Sequence, residues 1–283
     1  MGVISLQEVG EDIILSFPSY TSVVGKKIYE KKIQKNIVNL LYKNSINTLI
    51  LAKALKNNQK FINELYEENL NILDGKILFE ILLVDCLEYI AKKQNRKLNC
   101  LEVTILANDI PNQLLDNLML VADKVKSVHI VTNNLNRFRK VEEKIREKFG
   151  IAIRVSNNKR KSLADAKLIL NLDFPEENVN QYKINAHAIF INVNNKIKIY
   201  TRLFEGIVIQ NYEFKLNAEK EKLLKNERIS IKEFDKNDIY EGILLKEKNL
   251  FEARKKWMED GGRITNLIGN NGRICEEEYM NFM

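Results

Sequence analysis

Residues 128–158 read VHIVTNNLNRFRKVEEKIREKFGIAIRVSNN. Two apolar runs, each ending in Asn-Asn, flank a charged segment whose apolar residues recur at helical spacing. The runs have the length and the β-branched content of strands, and the segment between them has the length of one helix. Parallel strands require a crossover connection of this kind. The stretch therefore predicts a strand–helix–strand unit with parallel strands.

The same alternation continues on both sides of this unit. Upstream, LEVTILAND is predicted to be a strand, and Pro111 opens a helix, because the first turn of a helix tolerates proline. Downstream, strands are predicted at KLILNLDF, at AIFINVNNKIKIY as a pair around Asn194 and Asn195, and at GIVIQNYEF. With right-handed crossovers, the pattern predicts the α/β class with a doubly wound, Rossmann-like, mainly parallel sheet.

Changes of pattern along the 283 residues predict three regions. Residues 1–98 form an N-terminal α+β domain, with a hairpin near the start and a helix from Asp74 to about Lys92 that is apolar nearly all round and therefore buried. Residues 99–214 form the Rossmann-like domain. Residues 215–283 form a C-terminal helical segment that packs back on the other domains. Its last part, GGRITNLIGNNGRICEEEY, is predicted to form short helices between glycines.

The composition favours a protein of the bacterial cytoplasm. The start, MGVISLQEVGED, does not resemble a signal peptide, and the most apolar stretch, ILFEILLVDCLEYIA, is too short and too charged to span a bilayer. The three cysteines are far apart without a CxxC pair, which is typical of reduced proteins, and the two histidines lack the spacing of a zinc site. Abundant Lys, Asn and Ile indicate an AT-rich bacterial genome.

Short polar residues stand at the end of every predicted strand of the central region. In a parallel sheet these ends meet at one edge, where ligands bind close to the point at which the strand order reverses. Asn and Asp offer polar groups to a ligand, but they also form turns, and both interpretations are open. The candidate ligand-binding residues at these ends are Asn108, Thr132, Asn133, Ser156, Asn157, Asn171 and Asp173.

Residues 99–193 resemble the dinucleotide-binding domain of the shikimate dehydrogenase and glutamyl-tRNA reductase group. The similar motifs are VTNNLNRFRK after the second strand and LADAKLILNLDF before a later one. The resemblance implies that Asn133, Arg137 and Arg139 would hold the adenosine ribose or its 2′-phosphate, and that Asn171 would lie beside the nicotinamide. The group also has a glycine-rich turn after the first strand, for which this chain has LANDIPNQLLDN, with Asp109 where a phosphate would sit.

Two basic clusters and one acidic cluster complete the set of candidate motifs. RFRK at 137–140 and the basic residues of RVSNNKRKSL at 154–163 suit phosphate contacts or solvated helix starts. Glu176 and Glu177, close to Asp173, are explained as residues that favour the first turn of a helix, so no metal site is predicted. No arrangement of Ser, Cys, His and Asp indicates a catalytic site.

These features favour a non-enzymatic Rossmann-like protein, regulatory or scaffolding, that binds a protein partner or a small ligand at the polar strand ends. No cofactor is expected. A divergent oxidoreductase that uses NAD or NADP is the alternative, supported by the resemblance. A nucleic-acid-binding protein is a second alternative, supported by the net charge of +7 and the basic clusters. The identity of the ligand and the oligomeric state are not predicted.

Overall fold

The computed structural model describes residues 5–9, 12–16, 27–109, 112–193, 197–200, 203–225, 233–247 and 249–280. The strands of the described residues are β1 Ser5–Val9, β2 Asp12–Ser16, β3 Thr48–Ile50, β4 Asn71–Leu73, β5 Glu102–Leu106, β6 Ser127–Val131, β7 Ala152–Ser156, β8 Leu168–Asn171, β9 Ile189–Asn192, β10 Ile207–Lys215, β11 Arg263–Gly269 and β12 Gly272–Arg273. The α-helices are α1 Lys27–Lys43, α2 Lys53–Lys56, α3 Gln59–Glu67, α4 Lys76–Ile81, α5 Leu83–Lys93, α6 Asn112–Lys124, α7 Leu135–Phe149, α8 Lys159–Asp165, α9 Glu176–Asn180, α10 Ala218–Lys225, α11 Lys236–Leu244, α12 Leu250–Glu259 and α13 Glu276–Met280.

The chain divides into two compact units, which differ from the three predicted regions. The first contains residues 1–74 and 222–242, and the second contains residues 75–221 and 243–283. The predicted boundary after residue 98 is displaced because α4 and α5 bury their apolar side chains in the second unit, where α5 packs on α6 and β11. The predicted boundary after residue 214 is displaced because β10 continues to Lys215 and residues 222–242 return to the first unit.

The first unit contains two small sheets and a core of its own. Strands β1 and β2 form the predicted antiparallel hairpin, and β3 and β4 pair in parallel. Residues 233–242 are held partly by ion pairs, since the Lys56 ammonium lies 2.6 Å from the carboxylate of Asp235 and also contacts Asp238. The core consists of Ile37, Leu41, Leu51, Phe61, Leu65, Leu70 and Ile72.

The second unit is built on one eight-stranded sheet, in the order β12-β11-β10-β9-β8-β5-β6-β7. From β7 to β10 the pairs are all parallel, whereas β11 and β12 are antiparallel. Numbered along the chain, the six parallel strands lie in the order 3-2-1-4-5-6, which is that of the doubly wound Rossmann fold. The predicted fold class is therefore confirmed.

The helices of the second unit cover the sheet on both faces. Right-handed crossovers place α6 and α7 on one face and α8 and α9 on the other. On the second face, Leu163 of α8 and Val179 of α9 belong to the same buried cluster as Leu106 and Val131 of the sheet. Gly150 ends α7 as predicted, and its φ of 63° is the left-handed conformation that glycine adopts without strain.

The C-terminal part of the sheet corrects the prediction for GGRITNLIGNNGRICEEEY. Its middle part forms the hairpin β11–β12 instead of short helices, and β11 pairs with β10. Its end lies in a short helix, α13, as predicted. The loop between Gly269 and Gly272 has two residues, and Asn-rich loops of this length are typical of hairpins. Only β9 is a strand within AIFINVNNKIKIY, because residues 197–200 are irregular and Asn194 and Asn195 lie outside the described residues, as does Pro111.

The apolar stretch predicted as one helix from Asp74 to about Lys92 is two helices, α4 and α5, with Leu82 between them. Its burial agrees with its composition, since Leu78, Leu82 and Ile90 are completely inaccessible to solvent. No helix within the described part of the chain is both long and apolar enough to cross a membrane.

We expect Leu82→Ala to lower the free energy of unfolding by about 2–5 kcal/mol, the usual cost of removing a fully packed leucine side chain. Urea denaturation measures this quantity. Leu223→Ala is the matched control, because Leu223 is 59% exposed, and should change the free energy by less than about 0.5 kcal/mol. An equally small change for Leu82→Ala would contradict the burial of this segment.

Candidate functional site

The candidate site lies at the carboxyl edge of the parallel strands. The strand order reverses between β5 and β8, which are neighbours in the sheet although they are distant in the chain. In doubly wound sheets this reversal opens a crevice between the loops that leave the two strands. The loop after β5 contains Asn108 and Asp109, and the loop after β8 contains Asp173.

The carboxylate of Asp173 closes the crevice at this point. Both of its oxygens accept hydrogen bonds from the backbone N–H of Asn108, at 2.8 and 2.7 Å, and one accepts from the N–H of Asp109 at 2.8 Å. Burial raises the pKa of Asp173, and the hydrogen bonds from these two N–H groups oppose that shift. The turn after β5 thus already holds an anionic group, supplied by the chain itself.

Asn108 links this turn to the end of β6. Its side-chain Oδ1 accepts from the backbone N–H of Asn133 at 2.9 Å, and its carbonyl oxygen accepts from Nδ2 of Asn134 at 2.9 Å. Arg137, in the first turn of α7, forms an ion pair with Asp109 at 2.5 Å. The basic residue that would favour a ligand phosphate is therefore paired with a carboxylate of the neighbouring loop.

Local hydrogen bonds explain why β6 and β7 both end in Asn-Asn. Oγ1 of Thr132 accepts from the N–H of Asn134, and Oγ of Ser156 accepts from the N–H of Asn158, two residues further on in each case. Oδ1 of Asn158 then accepts from the N–H of Lys161 and caps the N-terminus of α8. The second Asn of each pair has a structural role at the turn into the helix.

The first Asn of each pair lies at the edge and does not cap a helix. Asn133 and Asn157 are both accessible to solvent. Lys159 reaches back to Asn133, with its Nζ in contact with Oδ1, and lies over the ring of Phe174. Amide groups and one ammonium group are therefore available to a ligand on the side of the crevice formed by β6 and β7.

Asn171, at the end of β8, is buried and fully engaged. Its Nδ2 donates to the carbonyl of Phe174 at 2.8 Å and to Oδ1 of Asn192 at 2.7 Å, and its Oδ1 accepts from the N–H of Phe174. Asn171 and Asn192 are register partners on β8 and β9 and are both 2% exposed. Nδ2 of Asn192 is buried and has no hydrogen-bond partner among the residues that the structure describes.

The structure brings eight of the nine candidate residues to one edge. They are Asn108, Thr132, Asn133, Arg137, Ser156, Asn157, Asn171 and Asp173. Arg139 is exposed, about 200° around α7 from Arg137, and does not join the network. The roles of Asp109 and Asn134 were not predicted, although both follow strands in the same pattern as the predicted residues.

The acidic cluster after β8 is used within the fold. Oε2 of Glu176 accepts from the backbone N–H of Lys198 at 2.9 Å, while Asp173 holds the turn after β5. Within the described residues, no group of three or more His, Cys, Asp or Glu side chains is placed to hold a metal ion.

Comparisons with known proteins give solved structures of low similarity and no family. No protein-family model matches the chain, and no curated protein matches it in sequence. Similar solved structures include Mycobacterium tuberculosis shikimate dehydrogenase, which is 13% identical with a TM-score of 0.27 over 44% of this chain and 49% of that one. Another is Thermococcus litoralis Δ1-pyrroline-2-carboxylate reductase in complex with NADH and L-proline, which is 9% identical with a TM-score of 0.29 over 44% of this chain and 39% of that one. Ornithine carbamoyltransferase from Pyrococcus furiosus is also similar, with 10% identity and a TM-score of 0.33 over 62% of this chain and 64% of that one.

The similar structures thus include a member of the group that residues 99–193 resemble. The chain spans less than two thirds of the length of each of these three proteins. At such low TM-scores these similarities carry no argument, and the fold class rests on the strand order of the sheet itself.

We expect Asp173→Ala to lower the free energy of unfolding by about 1–3 kcal/mol, because the partly buried N–H of Asn108 would lose its acceptor. Asp165→Ala removes an exposed carboxylate from α8 and should change the value by less than about 0.5 kcal/mol. Urea denaturation of both variants checks this. Equal effects of the two substitutions would mean that the Asp173 carboxylate does not stabilise the turn.

Proposed function

We propose that this chain is a non-enzymatic Rossmann-like protein, regulatory or scaffolding, that binds a small polar ligand or a protein partner at the carboxyl edge and does not bind dinucleotides. The observation that supports the proposal is the position of the Asp173 carboxylate on the N–H groups of Asn108 and Asp109. In dinucleotide-binding Rossmann domains the pyrophosphate binds at the turn after the first strand and the start of the following helix.

A pyrophosphate at this turn would meet two costs. It would have to displace a carboxylate that accepts three hydrogen bonds, and it would approach both Asp173 and Asp109. Two like unit charges about 4 Å apart repel by about 4 kcal/mol at an effective dielectric constant of about 20. Arg137 offers little compensation, because its guanidinium is already paired with Asp109.

The groups that remain available suit a ligand with hydrogen-bonding groups. Asn133 and Asn157 are exposed amides, which can both donate and accept, and Lys159 adds a positive charge beside Asn133. Such a set can recognise a polar molecule or a polar protein surface. It contains no nucleophile with an adjacent base, which covalent catalysis requires.

A nucleic acid remains the second candidate because the two basic clusters lie at the same edge. Arg137 and Lys140 are near the start of α7, and Lys159, Arg160 and Lys161 begin α8, which lies on the other face of the sheet. Apart from Lys159, which is partly buried, these side chains are exposed. Binding to phosphates through them would weaken steeply as the salt concentration rises.

We expect isothermal titration calorimetry of the purified, cofactor-stripped protein to give no binding of NAD, NADH, NADP or NADPH tighter than about 1 mM. Micromolar binding that is lost in Arg137→Ala and Arg139→Ala, but kept in the control Arg146→Ala, would overturn the proposal in favour of an oxidoreductase.

Fluorescence anisotropy with short labelled DNA and RNA, at two salt concentrations, tests the second candidate. Thermal-shift screening with small polar metabolites searches for the expected ligand, because binding to the folded state raises the melting temperature.

A further inference from the structure

A cavity of 610 Å³ lies at the amino edge of the sheet, at the opposite end of the strands from the crevice. Its volume is that of a small-molecule binding site. Its lining includes the first residue of each of five adjacent strands, namely Glu102, Ser127, Ala152, Leu168 and Ile189.

A row of polar side chains crosses β5, β6 and β7 in this cavity. Thr104, His129 and Arg154 are register partners and therefore lie on one face of the sheet. Leu163 of α8 packs farther along the same face, against the carboxyl half of the strands.

The short crossover helix accounts for the opening. Helix α8 has seven residues, a length of about 10 Å. The connection from β7 to β8 must cross three strand spacings, about 14 Å in all. The helix begins at the carboxyl edge, and the chain then runs to the amino edge, where β8 begins. Helix α8 therefore does not cover the amino half of β6 and β7.

His129 is held as a neutral imidazole between Arg154 and Ser162. A guanidinium has donors but no acceptor, so Nη2 of Arg154 donates to Nδ1 of His129, at 3.1 Å. The proton of the imidazole then lies on Nε2, which is 3.4 Å from Oγ of Ser162. Burial, followed by the positive charge of Arg154, lowers the pKa of His129 to about 4.

We expect an NMR titration to give a pKa of about 4 for His129. Arg154→Gln should raise this pKa, because it removes the positive neighbour, and should leave it below the usual value, because burial remains the larger cause. Arg146→Gln, on the exposed side of α7, should leave it unchanged. A pKa near 6.5 in the unaltered protein would show that His129 is solvated and not held by Arg154.

The cavity has an excess of positive charge. Arg96, Arg154 and Lys167 line it, against the carboxylates of Glu102 and Asp165. The ammonium of Lys126, which is not part of the lining, lies 2.7 Å from the carboxylate of Glu102. Among the described residues, no carboxylate pairs with Arg154, and its guanidinium donates to the neutral His129.

We propose that this cavity is a second binding site, for a small molecule that carries a carboxylate or phosphate group held by Arg154. The guanidinium presents several N–H donors in a plane, which fits either anion through two parallel hydrogen bonds. Ser127, Ser162 and Thr104 add hydroxyl groups along the same lining. Contact of the bound group with Arg154 changes the environment of His129, which makes that imidazole a direct reporter.

The test follows the two histidines of the chain by NMR with isotope-labelled histidine, near neutral pH. Sodium phosphate and sodium succinate are added separately, each against sodium chloride at equal ionic strength, so that the two kinds of anion are distinguished. We expect a saturable shift of the His129 signal with at least one of them, with a Kd of about 1–10 mM, and no such shift of His187.

Arg154→Gln should weaken this binding at least about tenfold, while the control Arg146→Gln should bind as the unaltered protein does. The melting temperatures of both variants verify that they fold. The proposal would be overturned if, for both anions, the shift of the His129 signal increased linearly and equalled the shift with sodium chloride. It would also be overturned if saturable binding persisted in Arg154→Gln. Neither result affects the proposal for the carboxyl edge, which involves other residues.

Discussion

The sheet of the second unit depends on one constraint: the backbone N–H groups at the carboxyl ends of its parallel strands need hydrogen-bond acceptors. At the strand reversal, the loops after β5 and β8 diverge, so the N–H groups of Asn108 and Asp109 have no partner strand. A buried N–H without an acceptor costs about 1–3 kcal/mol, which concerns Asn108, since its N–H is partly buried whereas that of Asp109 is exposed. A dinucleotide-binding domain satisfies such groups with a ligand phosphate, whereas here Asp173 satisfies them in the protein alone. The turn is therefore complete without a ligand.

The position of the Asp173 carboxylate also determines which charges are available at the carboxyl edge of the sheet. With Asp173 fixed in the crevice and Asp109 beside it, Arg137 pairs with Asp109 and is not left for a ligand. The network extends through Asn108 to the end of β6 and, by way of Asn133, to Lys159 at the start of α8. Some of the polar side chains that resemble a binding site in the sequence therefore form hydrogen bonds between the strand ends and are not available to a ligand.

The sequence predicts the sheet better than it predicts the site. Apolar runs at 103–106, 128–131 and 168–170 alternate with helical segments, and local patterns of this kind specify strands, helices and crossovers. The hairpin β11–β12 was missed because Thr265 and Asn266 interrupt the apolar residues of β11 and because β12 has only two residues. In addition, β11 pairs with β10, which is distant in sequence. The link between Asp173 and the turn after β5 joins residues 65 positions apart, so no local pattern contains it. The position of Asn171 at the end of a strand is predicted from the sequence, whereas its burial is not.

The crossover through α8 connects the properties of the two edges. Asn158 starts the helix immediately after β7, which brings Lys159 to the carboxyl edge beside Asn133. The helix then ends after seven residues, and the polar row of Thr104, His129 and Arg154 is left open toward the amino edge. A longer helix would cover that row and would require apolar residues in place of His129 and Arg154, because an unpaired buried guanidinium is costly. The exposed Arg154 beside a neutral imidazole is therefore compatible with the fold only because this crossover is short, and the same short crossover gives an anion access to it.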